Sequence, residues 1–266
     1  MWDQAYAQRG DAGCVLADVP GGGWALVGPG AEVMRAAVGF LTIVGGAAAP
    51  GRRSVGWFAP VGAAIGLVVG AVWWAAGELW PAVLAATLAV AADAVLTGML
   101  HLDGLSDSAD GLLPPLDRAR RFDVLADPRA GAFGVVTVVL VLALRIGALA
   151  ALDPDPLLLA GLWGAARAAM GVALATVPYA RPGGGLASAF AGTPLAPPLV
   201  GGALALALVP VAIGWPGLAA ALGLVAGSAA VLLLARARLG GYTGDVLGAA
   251  GLVGETCALV LAAARW

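Results

Sequence analysis

The chain has 266 residues, of which 61% are hydrophobic and 11% charged, with a mean hydropathy of +0.94. Soluble globular chains carry about 25% charged residues, so an ordinary soluble domain is excluded. The net charge of −2 says little about partners, because the charges are segregated by loop, and no nucleic-acid partner is expected.

Residues 1–30 are Gly-rich and lack the basic start and continuous apolar run of a signal peptide. A poorly ordered N-terminal extension is expected there, followed by a single domain over 31–266. Residues 54–77 and 182–235 contain no ionisable side chain. About 20 apolar residues cross the hydrocarbon core as a helix, so the fold class is all-α, a polytopic helical membrane bundle. Spans are expected at about 55–77, 81–100, 130–152, 157–178, 197–214, 217–235 and 246–264. Residues 31–49 are apolar but short, which makes the count seven or eight. Trp73, Trp74 and Trp80 stand near span ends, as an aromatic belt would.

Alternate loops carry the arginines: Arg52 and Arg53; Arg118, Arg120, Arg121 and Arg129; Arg181; Arg236 and Arg238. The opposite loops carry Glu78, Asp153 and Asp155 and no arginine. The positive-inside rule makes the arginine face cytoplasmic, in a plasma or inner membrane. Cys14 and Cys257 are isolated and read as neither disulfide nor metal ligands.

On the arginine face lies HLDGLSDSADGLLPPLDRARRFDVLADPRAGAFG (101–134), with the only histidine, six of the sixteen acids and four of the fourteen arginines. Asp103, Asp107 and Asp110 are spaced i, i+4, i+7, which on a helix gathers them within roughly 60°. Like charges at this spacing repel, so the stripe is more plausible with a cation on it. Oxygen donors without cysteine or a second histidine point to Mg²⁺, with Mn²⁺ as substitute, rather than zinc. Asp127 is a further candidate ligand. Arginines interleaved with acids point to a metal-bridged polyphosphate. The plainer reading is an acidic loop with no ligand.

His101, as the one imidazole, is a candidate general base. On a continuous helix it points nearly opposite to the aspartates, whereas a helix starting at Asp103 leaves it free to turn inward. Four charges fall inside spans: Asp93, Arg145, Arg167 and Glu255. Intramembrane charge marks function by default. Arg145, towards the outer end of its span, is expected to snorkel to the surface. Asp93, Arg167 and Glu255 lie about 12–18 Å from the cytoplasmic ends of their spans, as an ion pair flooring the site would, or a purely structural one. Thr243 and Asp245 in GGYTGD (240–245), and Tyr179 and Arg181 beside Gly183–Gly185, face the same compartment. Each of these stretches also reads as a plain interhelical turn.

HLDGLSDSADGL (101–112) and ADPRAGAFGV (126–135), with WFAPVGAAIG (57–66), PYARPGGGLASAF (178–190) and GGYTGDVLGA (240–249), resemble the cobalamin synthase family of adenosylcobinamide-GDP ribazoletransferases. The likeness runs over about 35–265, although IVGGAAAP departs from the family's usual sequence after FLT (40–42). It implies a membrane enzyme of late cobalamin biosynthesis, dependent on Mg²⁺. Such an enzyme joins adenosylcobinamide-GDP to α-ribazole or α-ribazole 5′-phosphate, releasing GMP and adenosylcobalamin or its 5′-phosphate. In that case Asp103, Asp107, Asp110 and Asp127 would hold metal. Arg118, Arg121, Arg129, Arg167, Arg181, Thr243, Asp245 and Glu255 would serve substrate and phosphate. The hydroxyl proton would pass to His101 or to an aspartate. The lipid bilayer is an expected partner, and a homo-oligomer stays open. Of two rivals, the nearer has parallel chemistry and the other, a transporter, is of a different class. A CDP-alcohol phosphotransferase would show Ala-Arg where this chain has Ser-Ala-Asp-Gly. A transporter would be expected to carry internal repeats, and none is evident.

Overall fold

In the computed structural model, the described residues are 15–19, 23–27, 29–44, 51–181, 183, 186–190 and 192–265. The remainder of the 1–30 extension lies outside them, as do residues 45–50 and Gly184 and Gly185 of the triple glycine. Within the extension, β1 (Val15–Val19) pairs antiparallel with β2 (Gly23–Val27), Val15 opposite Val27. Every later element is helical.

Helix α1 (Pro29–Leu41) has 13 residues, about 20 Å at 1.5 Å per residue. A bilayer core is about 30 Å thick, so the described part of 31–49 is too short to cross. A 3₁₀ turn at Ser54–Trp57 leads into α2 (Phe58–Gly77), followed by α3 (Ala82–Leu96), α4 (Leu100–Leu112) and α5 (Arg118–Val124). Then come α6 (Ala132–Ala150), α7 (Pro156–Thr176), α8 (Ala196–Ile213), α9 (Pro216–Leu239) and α10 (Gly244–Ala262). Helices α2 and α6 to α10 are long and apolar enough to cross a membrane. Helix α3, with 15 residues, and α4 are long and apolar enough only as a pair, bent by 89° at the break between them. The count comes to seven where that pair is taken as one broken span. The chain is a multi-pass membrane protein.

Glycine decides which helices meet. Gly62, Gly66 and Gly70 repeat every four residues along one face of α2. A Cβ on Gly62 would lie 2.6 Å from the Trp163 carbonyl oxygen, and one on Gly70 2.5 Å from Pro156 Cα. Backbone therefore packs directly on backbone between α2 and α7, as small-residue faces allow in membranes. Asp155 starts α7 by accepting from the amides of Leu157 and Leu158, with Pro156 in the first turn. On α10, Gly254 faces Ser228 of α9, whose hydroxyl donates to the Ala250 carbonyl.

Most of α7 and α10 is buried, and these two helices form the inner wall of the bundle. Val135, Val136, Val139 and Leu140 on α6 and Leu199, Val200 and Leu204 on α8 are exposed, a lipid-facing surface. Trp74 and Trp80 are half exposed, as a belt requires, whereas Trp73 is 1% exposed and belongs to the core.

Candidate active site

The site is built on the elbow between α3 and α4. Gly98 and Met99 both take left-handed backbone angles, φ +61° and +59°, and α4 begins at once with Leu100. His101 and Asp103 therefore lie on one continuous helix. Its inner face carries His101, Gly104, Leu105, Ser108 and Leu112, all buried, while Asp103 and Asp107 point the other way. The alternative in which the helix starts at Asp103 and frees His101 does not occur.

Asp110 leaves the stripe. Its Oδ2 accepts from the Gly131 amide at 2.7 Å and its Oδ1 from the Gly134 amide at 2.9 Å. Gly131 is the N-cap position of α6, so a carboxylate from α4 satisfies the open amides at the start of α6. A Cβ on either glycine would come within 2.5 Å of that carboxylate. The sequence AGAFG is thus the counterpart of Asp110.

The place beside Asp103 and Asp107 is taken by Asp245. Thr243 caps α10 by accepting from the Val246 amide at 3.3 Å, and its hydroxyl lies 3.3 Å from Asp245 Oδ2. The preceding loop is fixed to the 178–181 loop: the Tyr242 amide donates to the Pro178 carbonyl and the Ala180 amide to the Tyr242 carbonyl, both at 2.9 Å. The rings of Tyr179 and Tyr242 meet edge to face at 5.4 Å. A Cβ on Gly104 would lie 2.8 Å from the Asp245 carbonyl, so only glycine lets α4 come this close to the start of α10. Burial, then the charges of Asp103, Asp245 and Asp110, push the Asp107 carboxyl up to about 6, with Arg181 opposing.

The loop arginines divide. Arg181 stands near Asp107 and donates to the Leu125 carbonyl at 3.2 Å. Arg118 lies beside Gly240, over the Phe122 ring. Arg121, expected on phosphate, is 2% exposed and donates to the carbonyls of Gly111 and Leu112 at 2.7 and 3.0 Å. It closes the C-terminal end of α4 with these two bonds. Arg129 grips Asp127 through its backbone amide, Nε and Nη2 at 3.0, 2.9 and 2.7 Å. These bonds hold the Asp127 carboxyl down at about 2. That pair is a self-contained turn, distinct from the Asp103–Asp107–Asp245 group.

Beneath α4 lies a buried charge network. Arg145 donates to Asp93 Oδ2 and to Glu255 Oε2, each at 2.9 Å. Arg167 pairs with Glu255 Oε1, and its Nη2 lies 3.5 Å from His101 Nδ1. Trp163 Nε1 donates to Asp93 Oδ1 at 2.8 Å, and the Arg145 guanidinium stacks 4.8 Å from the Trp163 ring. The expectation that Arg145 snorkels is therefore corrected: it is 1% exposed and bridges both acids. Charge balance carries the missed signal, since Asp93 and Glu255 call for two cations and Arg167 supplies one. Trp163 had no comparable signal, because an indole in an apolar span reads as core.

The family described as Cobalamin-5-phosphate synthase matches residues 33–263. Among curated relatives, the adenosylcobinamide-GDP ribazoletransferase of Bradyrhizobium diazoefficiens is 39% identical over 187 residues, covering 68% of this chain and 71% of that protein. The enzyme of the same name from Syntrophobacter fumaroxidans is 37% identical over 191 residues, 70% of this chain and 76% of its own. That of Pseudomonas putida is 44% identical over 143 residues, 51% of this chain and 59% of its own. No solved structure matches. With nearly all of the membrane domain matched, aspartate helix and α10 start included, the chain belongs to the cobalamin-5-phosphate synthase family.

Proposed function

We propose that this protein is an adenosylcobinamide-GDP ribazoletransferase, joining adenosylcobinamide-GDP to α-ribazole or α-ribazole 5′-phosphate with release of GMP. The observation that carries the reading is the meeting of Asp103 and Asp107 on α4 with Asp245 at the start of α10, beside Arg181. Two blocks far apart in sequence, both within the matched family region, supply one acidic site at the arginine-bearing end of the bundle. The CDP-alcohol phosphotransferase and transporter readings are set aside, because the family matched is another.

The chemistry is an in-line displacement at phosphorus. The ribose hydroxyl oxygen bonds to the corrinoid-side phosphorus as the bond from that phosphorus to the GMP oxygen breaks. The electron pair leaves with GMP, and the hydroxyl proton passes to a carboxylate on the exposed face of α4 or α10. Arg181 presents a guanidinium to phosphate oxygens, and Arg118 offers a second beside Gly240. Asp103, Asp107 and Asp245 provide hard oxygen donors suited to Mg²⁺, which would offset charge on the pyrophosphate oxygens. Among the described residues no three His, Cys, Asp or Glu side chains close on one ion position. Mg²⁺ is commonly held by one or two carboxylates together with substrate phosphate and water.

The site faces the cytoplasm in this reading, because every arginine-bearing loop lies at its end of the bundle. The membrane is the plasma or inner membrane, so both substrates arrive from the cytoplasmic side. The test is GMP release by purified protein in lipid, given adenosylcobinamide-GDP, α-ribazole and Mg²⁺, with Asp103→Asn and Asp107→Asn in parallel. Release should require all three components and be lost in both variants. Release that persists in both variants would remove the aspartates from the site.

A further inference from the structure

We propose that His101 is a positioning residue: a neutral imidazole that donates from Nε2 to a water held against Asp93 and Thr97, and so fixes the elbow that aims Asp103 and Asp107. The inference rests on the transferase reading above and assigns His101 a role other than proton acceptor.

Geometry removes His101 from the reacting groups. It is 4% exposed and lies on the inner face of α4, about 200° around the helix from Asp103. Its Nδ1 faces the Arg167 guanidinium at 3.5 Å. Arginine has only donors, so Nδ1 presents its lone pair and the ring proton resides on Nε2. A third positive charge beside Arg145 and Arg167 would also be unfavourable in a buried setting. His101 Nε2 is buried and has no partner among the described residues. Leaving a buried donor unpaired costs about 1–3 kcal/mol.

The imidazole lines a cavity of about 10 Å³ with Asp93, Thr97 and Arg145, room for one water molecule. Each Asp93 oxygen accepts one bond, from Trp163 or Arg145, and keeps a free lone pair. The Thr97 hydroxyl donates to the Asp93 carbonyl at 2.7 Å and can still accept. A water there receives the Nε2 proton and gives its own to the carboxylate or the hydroxyl. It thereby joins the last turn of α3 to the first turn of α4 across Gly98 and Met99. Met99 at φ +59° is strained by about 1–2 kcal/mol, and such a conformation persists only where its surroundings over-determine it. Through Arg167, Glu255 and Arg145 the same imidazole is tied to α7, α10 and α6.

Two measurements test this. The protein has one histidine, so ¹⁵N-histidine labelling of the wild-type protein in lipid gives a single imidazole spectrum. At neutral pH it should show a protonated Nε2 and an unprotonated Nδ1. An imidazolium or an Nδ1-protonated ring would overturn the proposal, whether or not the protein turns over. The second measurement compares His101→Gln, whose amide nitrogen can stand in for Nε2, with His101→Ala. His101→Gln should release GMP within about threefold of wild type, and His101→Ala should fall by roughly 10–100-fold and need more Mg²⁺ for half-maximal rate, as loss of a supporting partner does. A His101→Gln protein that melts like wild type yet is as inactive as His101→Ala would assign His101 to the chemistry. A wild type with no GMP release would instead sink the transferase reading and leave the spectrum as the test of the imidazole.

Discussion

At the residue scale, Asp107 holds a position that costs stability in its ionised form. Its carboxyl is pushed up to about 6 in the fold, first by burial and then by three like charges. An unfolded aspartate titrates near 4. A raised carboxyl pKa means the fold takes up a proton, so the stabilising contribution is complete below about 4 and is lost as pH rises through about 6. Near pH 7.5 the metal-free protein carries the ionised, repelled form. Asp107→Asn should therefore melt higher than wild type without Mg²⁺ at pH 7.5, by about 1 kcal/mol once the screening of a half-exposed site is allowed for. The difference should shrink at pH 5, and Mg²⁺ should stabilise only the wild type. Thermal unfolding at the two pH values, with and without Mg²⁺, checks all three statements. A lower melting point for Asp107→Asn at pH 7.5 would contradict the repulsion.

At the element scale, contact between α4 and α10 depends on Gly104, and the junction of α4 with α6 on Asp110. Gly104→Ala places a methyl 2.8 Å from the Asp245 carbonyl. The start of α10 must move away, so GMP release should fall by about 10²-fold, as a misplacement near 1 Å does, with melting changed much less. Asp110→Ala should show the reverse emphasis, losing about 2–4 kcal/mol because two inward-facing amides lose a charged acceptor. Melting curves beside turnover rates separate the two effects. These junctions also mark how far the sequence could be read. Helical spans were legible because twenty apolar residues leave little choice of structure in a bilayer, and seven of the expected spans correspond to helices. The i, i+4 pair Asp103–Asp107 was legible for the same reason of period. The fate of Asp110 was not, since i+7 geometry is satisfied equally by a shared ligand and by a neighbouring helix's open amides. Arg121 and Arg181 look alike in sequence. Only the packing of α5 buries one under α4 and leaves the other beside Asp107.

At the scale of the whole molecule, the bundle is held from inside by two arginines and two acids drawn from four helices. Asp93 comes from α3, Arg145 from α6, Arg167 from α7 and Glu255 from α10, and the four formal charges sum to zero. None of the four side chains is more than 9% exposed, so none can reach water to be screened. In such a setting the neutrality of the group matters more than any single contact. Arg145→Met leaves two carboxylates sharing one cation and should cost about 3–5 kcal/mol, the usual result of stranding a buried charge. Adding Asp93→Asn removes one of those carboxylates and restores the balance between Glu255 and Arg167. The double variant should therefore be more stable than Arg145→Met alone, although it carries one more substitution. Thermal unfolding of the two single variants and the double in the same lipid measures the coupling directly. Recovery in the double locates the cost in uncompensated charge. A double variant that loses the sum of the two single losses would mean that Arg145 acts through packing against Trp163 instead.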